Sequence, residues 1–229
     1  MDFMSIETAA MNEVTPIPGW KRALDLTLVF VTAPLWLPLM ALLGTLIKLI
    51  SPGPAFFRQE RVGYRGRHFI CYKFRSMKIN AETRVHEDYL KQLIQNDCPM
   101  TKLDESGDSR LIPLGRIFRS TGLDELPQIL NVIRGEMSLV GPRPCTPHEF
   151  KNARDLRASR VAAPPGLTGY WQVNGKNKTT FREMIAMDDF YANHMSLRMD
   201  IIILLRTVPA ILEQIHGSRC GRLAEKGAN

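Results

Sequence analysis

The stretch LTLVFVTAPLWLPLMALLGTLI, residues 26–47, runs 22 residues without a charge between Asp25 and Lys48. As an α-helix it would extend about 33 Å, enough to cross a bilayer core. It is too long for the apolar part of a secretory signal, and no small-x-small cleavage site follows it. A buried core helix is the soluble alternative. Pro34 and Pro38 lie inside the segment, where each removes a backbone hydrogen bond and favours a kink. Basic residues flank both ends: Lys21 and Arg22 before, then Lys48, Arg58, Arg61, Arg65 and Arg67 after. A single-pass helix normally carries a one-sided basic bias. Two basic flanks and two internal prolines therefore predict a bent helix that enters the membrane and returns to the cytoplasmic face. The richer basic flank is C-terminal, so the remaining ~180 residues are expected in the cytoplasm under a spanning topology too.

The chain has 229 residues, 45% hydrophobic and 23% charged, which suits one sizeable domain with an appendage. Its net charge of +7 points to an anionic partner: nucleic acid, anionic lipid headgroups or a phosphorylated substrate. The four cysteines, at 71, 98, 145 and 220, form no C-x-x-C pair, and only five histidines accompany them. That pattern supports neither a zinc site nor a disulfide framework, and fits a reducing compartment.

Residues 1–18 are polar and end in PIPG, a loose tail; SPGP (51–54) is a turn that ends the membrane helix. Alternation over 55–77 predicts two short strands around a turn near Tyr64, Arg65 and Gly66. Residues 81–95 have a helical pattern, and 97–110 read as a polar loop. Two helices are expected in PLGRIFRSTGLDELPQILNVIRGEM, broken at Ser120, Thr121 and Gly122. Helix is expected within 145–163, loop and strand over 163–177, and long helices over 181–194 and from Leu197, with Pro209 inside the last. The apolar stripe in 197–212 suits core or membrane-surface packing. The polar residues after His216 read as a mobile tail.

Within GLDELPQILNVIRGEMSLVGPRP (122–144), Asp124 and Glu125 stand side by side in a basic protein. Leu126, Ile129, Leu130 and Ile133 follow at helical spacing, with Pro127 in the first turn. The spacing from Thr121 to Asp124 resembles a capping box. Two readings are open: acids that only complement a helix dipole, or a reactive pair. A helix N-terminus lowers a carboxylate's pKa and attracts phosphate oxygens, so an ionised Asp there can attack phosphorus while a second acid helps hold a hard cation. In KFRSM, Lys73 and Arg75 share a strand face if the stretch is extended. Arg119 precedes the acidic pair. Arg143 sits between Pro142 and Pro144, on backbone stiff enough to hold a phosphate in fixed geometry. A solvated surface is the ordinary role for such cations. GYWQVNGK imitates a P-loop but has Asn174 where the second glycine belongs and Asn177 after Lys176. NKT (177–179) reads as a glycosylation sequon, which a cytoplasmic domain would not use.

KRALD (21–25), the proline-broken apolar run, KFRSM (73–77), LDELPQILNVIRGEMSLVGPRP (123–144), PGLTGYWQVNG (165–175) and MDDFYANHMSLRMDIIILLRT (187–207) together resemble the small monotopic bacterial phosphoglycosyl transferases, over about residues 20–210. The resemblance implies an α+β fold. An N-terminal re-entrant membrane helix (20–54) would sit on a compact, mostly helical cytoplasmic catalytic domain with short β-strands (55–215), with tails at 1–19 and 216–229. It implies transfer of a sugar 1-phosphate from a UDP-sugar to polyprenyl (undecaprenyl) phosphate at the inner membrane. UMP would leave, through a phospho-aspartate on Asp124, as the first membrane step of surface-glycan assembly. Glu125 would support Asp124 or share Mg2+ with it, and Lys73, Arg75, Arg119 and Arg143 would contact phosphate. Membrane lipid, downstream glycosyltransferases and a second copy in a homodimer are the implied partners, and nucleic acid is not one. This sequence departs from the family pattern twice. Leu37-Pro38, with Pro34 in addition, stands where the family often has Ser-Pro at the helix break. Pro164 stands where it often has the arginine of an Arg-Pro-Gly; Arg160 is the candidate replacement. Two other readings compete: a membrane-anchored basic module that binds anionic lipid or nucleic acid without catalysis, and a hydrolase with an aspartyl-phosphate intermediate, whose DxDx[TV]-type signature is absent.

Overall fold

The apolar stretch folds as two helices, α1 (Gly19–Val31) and α2 (Ala33–Ile50), joined at Thr32. The break falls at Thr32, not at the expected Leu37-Pro38; Pro38 sits inside α2 without ending it. Pro34 is the cause, because it has no N–H to give the carbonyl four residues back. The corner re-pairs its backbone locally. Thr32 Oγ1 donates to Leu28 O at 2.7 Å, and Trp36 Nε1 donates to Val29 O at 2.9 Å. The Thr32 hydroxyl thus compensates backbone groups freed at the break, as a serine or threonine near a proline can. The structure, a computed structural model, describes residues 16–79, 110–152, 160–175 and 179–227. The helix expected over 81–95, most of the loop at 97–110, most of the N-terminal tail and part of 145–163 lie outside the described residues.

One face of α2 is buried through Trp36, Leu43 and Ile47, the i, i+7, i+11 positions of a single stripe. Leu35, Leu37, Leu42 and Leu49 on its other side are exposed. The inward stripe packs on Phe74, Ile112 and Phe118, while Val29 and Trp36 join Phe69, Cys71, Ile129, Val132 and Met137. The helix pair therefore shares its core with the domain that follows.

Strands β1 (Phe56–Val62) and β2 (His68–Phe74) form the expected antiparallel hairpin, turning at Tyr64–Gly66. Arg65 and Gly66 both take positive φ there, as a turn of this hand requires. Next come α3 (Gly115–Thr121), a 3-10 segment (Leu123–Gln128) and α4 (Ile129–Arg134). The break before the acidic pair is at Gly122, with φ 73°. The capping box expected at Thr121 does not form: its hydroxyl donates back to Ile117 O at 2.7 Å. A capping box is instead present at Thr180 and Glu183. Asn131 of α4 works as a strand surrogate on the β2 edge, accepting from Tyr72 N and donating to Ile70 O.

β3 (Ser138–Val140) pairs in parallel with β4 (Gly166–Thr168). Their crossing is glycine-dependent: a Cβ on Gly141 would lie 2.0 Å from Pro164 O. Between them lies α5 (Pro147–Asn152), the described part of the helix expected in 145–163. After β4, residues expected to continue as loop and strand form a short helix, α6 (Tyr170–Asn174), because Trp171 turns inward onto Phe181 and Met184. α7 (Phe181–His194) is as expected. α8 (Leu197–Gly227) runs past His216, where a tail was expected, since Leu223, Ala224, Glu225 and Lys226 are good helix formers. Its stripe divides: Ile203 is buried with Val140, Ala163 and Tyr191, whereas Leu205, Val208 and Leu212 are exposed.

The KRALD block joins α1 to this frame. Lys21 Nζ donates to Asp200 Oδ2 at 2.6 Å, to Val140 O at 2.8 Å and to Tyr191 Oη at 2.9 Å, with Lys21 and Asp200 both fully buried. Its three N–H groups are all satisfied, which makes burial of the charge tolerable. Tyr191 completes the knot by donating to Asp200 Oδ1 at 2.7 Å. Asp25 accepts from Ser138 Oγ and Leu139 N. Arg22 donates to the carbonyls of Val132 and Ile133 at the end of α4, where a cation suits the dipole. Lys21 and Arg22 thus face protein, and the expectation that they form a basic membrane flank is corrected.

Candidate active site

Asp124 and Glu125 lie in the 3-10 segment entered through Gly122, one turn before α4. This segment packs against β2, which brings Lys73 across to Glu125: Lys73 Nζ donates to Glu125 Oε1 at 2.7 Å. Asp124 is 8% exposed. The expected lowering of its pKa by a helix terminus is not what the surroundings produce. Burial, reinforced by the adjacent Glu125 charge, pushes the Asp124 carboxyl up to about 6, against the pull of Lys73 and Arg119. A 3-10 turn offers little aligned dipole, so desolvation wins.

A small open cleft adjoins the pair, lined by residues that include Arg61, Lys73, Glu125, Gln128, Arg143 and Gln172. Three cations and two carboxamides around one acid form a surface suited to phosphate and to neutral hydroxyl-bearing groups. Asp124 is buried and does not line this cleft. Among the cations named from sequence, Lys73 and Arg143 meet here. Arg119, at the end of α3, stays outside the lining, although its charge reaches Asp124. Arg75 is directed elsewhere. β2 ends at Phe74, and the Arg75 guanidinium donates to Pro52 O at 2.8 Å and Ser51 O at 2.9 Å, fastening the end of α2. Lys73 and Arg75 therefore do not act as one strand face.

Arg160, the candidate substitute for the arginine missing at Pro164, is also outside the cleft. It is buried, 3.2 Å from Asp188 Oδ2 through Nε, and it donates to Arg143 O at 2.5 Å. Arg61, read from sequence as part of the basic membrane flank, is instead buried at the cleft, and Gln128 and Gln172 carried no role in the sequence reading. Strand alternation carried a signal for Arg61, since 57, 59 and 61 face the same side as 69, 71 and 73. The glutamines had no signal of that kind.

Glu125, in the cleft lining, and the buried Asp124 next to it in sequence are the carboxylates nearest a cation here, and among the described residues no group of three or more His, Cys, Asp or Glu side chains converges. Mg2+ is commonly held by one or two carboxylates with substrate phosphate and water completing its octahedron, so the donor set fits it.

The sequence model of the bacterial sugar transferase family matches residues 18–214. The chain is 35% identical to the exopolysaccharide production protein ExoY of Rhizobium meliloti, over 91% of this chain and 92% of that protein. It is 42% identical to the UDP-glucose:undecaprenyl-phosphate glucose-1-phosphate transferase of Caulobacter vibrioides, over 84% of this chain and 69% of that one. It is 39% identical to the undecaprenyl-phosphate galactose phosphotransferase of Salmonella typhimurium, over 71% of this chain and 34% of the larger protein.

Proposed function

This chain belongs to the bacterial sugar transferase family, and we propose that it moves a sugar 1-phosphate from a UDP-sugar to undecaprenyl phosphate with Asp124 as the nucleophile. It is a phosphoglycosyl transferase, and exopolysaccharide production is the setting that the names of two relatives support. The observation that carries the mechanism is the acidic pair beside a cationic cleft: Asp124 buried, Glu125 on Lys73, and Arg143 in the same lining.

In the first step an ionised Asp124 oxygen attacks the β-phosphorus of the UDP-sugar. A P–O bond to aspartate forms, the bond to the bridging oxygen breaks, and UMP leaves with that electron pair. In the second step a phosphate oxygen of the lipid attacks the same phosphorus and the aspartate is released. Lys73 and Arg143 neutralise the charge on the transferring group, the main contribution a protein can make to phosphoryl transfer. Glu125 holds Lys73 at the cleft. Mg2+, held by Asp124 and Glu125, would supply further charge neutralisation.

The re-entrant topology has structural support. The start of α1 is tied to β3 and α8 through Lys21 and Asp25, and the end of α2 is tied to Arg75. Attachment of both ends of the apolar segment to one domain supports the reading that both lie on one side of the bilayer. The basic residues that follow the segment favour the cytoplasmic face for that side, where a soluble nucleotide sugar and a lipid phosphate can meet. The test is UMP release by the full chain in nanodiscs with undecaprenyl phosphate and Mg2+, screened over UDP-sugars. Release from one sugar supports the reading; no release from any, or unchanged release by Asp124→Asn, refutes it.

A further inference from the structure

The loop that carries Arg143 is held from behind by two buried arginines. Arg61 Nη1 donates to Pro144 O at 3.0 Å, and Arg160 Nη1 donates to Arg143 O at 2.5 Å. Each has its own carboxylate: Glu149 stands 4.0 Å from Arg61, and Asp188 stands 3.2 Å from Arg160. Burial pushes Glu149 upward, yet Arg61, Arg160 and Arg143 together hold it below its ordinary value, so it stays charged within this cluster. Two buried cations are committed to two consecutive carbonyls of a loop in which Pro142, Pro144 and Cys145 are themselves buried, an arrangement costly in desolvation. Proline on either side of Arg143 already limits φ; the two hydrogen bonds remove what freedom remains.

Arg61 also lines the cleft, so its roles are mixed. Arg160 is not in the lining and lies 6% exposed, with its second Nη on Met184 Sδ at 3.1 Å. It can affect substrate only through what it holds. We propose that Arg160, oriented by Asp188, is a positioning residue that sets the backbone at position 143 and thereby directs the Arg143 guanidinium into the cleft beside Lys73 and Glu125. The proposal rests on the transferase reading, with Arg143 as a phosphate contact. It also gives Arg160 a different role from the one weighed at Pro164: it acts on the existing phosphate-binding arginine and adds no second one. A guanidinium is suited to this, because its planar fork can meet a carboxylate and a carbonyl together, whereas an ammonium of similar length cannot reach both.

The test is a double-mutant cycle on UMP release with Arg160→Lys, Arg143→Ala and the double variant, with thermal melting of each. Arg160→Lys keeps a charge near Asp188 but loses the fork. Its kcat/KM for the nucleotide sugar is expected to fall on the order of tenfold to a hundredfold, the scale of about 1 Å misplacement of a charge-stabilising group. In the Arg143→Ala background the same substitution should cost almost nothing further. Losses that multiply in the double variant overturn the proposal, because Arg160 would then act independently of Arg143. So does an Arg143→Ala enzyme as active as the unsubstituted one; that result would leave the transferase reading standing, which falls only if the unsubstituted chain releases no UMP. If Arg160→Lys does not fold, Asp188→Asn enters the same cycle with the same two outcomes.

Discussion

Asp124→Asn separates the two readings of the acidic pair, because they predict opposite effects on stability. If Asp124 is a helix-terminal acid of structural value, removing its charge should destabilise the fold by about 0.3–1 kcal/mol. If it is a nucleophile buried against its preference, removing the charge should stabilise it. Its folded value of about 6 lies above the 3.8 expected for an unfolded Asp. The native state therefore keeps a proton that the unfolded chain has lost between about pH 4 and pH 6, and native stability falls as pH rises through that window. The difference amounts to roughly 3 kcal/mol above pH 7, with little solvent screening because the side chain is 8% exposed. Asp124→Asn, isosteric and neutral, should melt higher than the unsubstituted protein at pH 7.5, and the gap should have nearly closed by pH 4, where the folded state is protonated and the unfolded state close to half so. The same variant should release no UMP. Thermal melts in one detergent across pH 4–8, alongside the release assay, measure both. A variant less stable than the unsubstituted protein at pH 7.5 would refute the reasoning, because it would show a charge that the fold favours and not a destabilised nucleophile.

Three other outcomes follow from the structure. UMP release by the unsubstituted enzyme should drop about tenfold for each pH unit below 6 as Asp124 takes up its proton, and Glu125→Gln should move that limb to lower pH, read from a kcat/KM profile. Lys21→Met leaves Asp200 buried without its counter-charge and should cost about 3–5 kcal/mol, while Lys21→Met with Asp200→Asn should cost less; chemical denaturation compares the two. Cysteines introduced at Gly19 and Arg58, with Cys98 and Cys220 replaced by Ser, should both react with an impermeant maleimide from the same side of sealed vesicles, and reaction from opposite sides would exclude a re-entrant helix.

Much of the framework was legible because it rests on local rules. Alternation gave the β1–β2 hairpin and its turn, and helical spacing gave α7 and the segment after Gly122. Both periodicities are written in the order of neighbouring side chains. The helix corner was legible as a kink but not as a position, since Pro34 and Pro38 are equivalent in sequence. What separated them was rescue by Thr32 and by Trp36, whose indole returns seven residues to Val29 O. The site was legible in part. Lys73 and Arg143 meet at the cleft, whereas Arg75 turns to Ser51 and Pro52, because where a strand stops depends on what packs at its end.

By itself the sequence determined the long apolar segment, the mix of helix and strand and the acidic pair at a helix start, through motifs dense enough to carry a family resemblance. Tertiary structure alone decided which charges are free to act. Lys21, Arg22, Arg75 and Arg160 look like surface cations in one dimension, yet each is bound by carbonyls or carboxylates distant in the chain. The pKa of Asp124 was decided in the same way. A helix start favours the anion, burial beside Glu125 opposes it, and the balance depends on how much water the fold removes, which no run of neighbouring residues specifies.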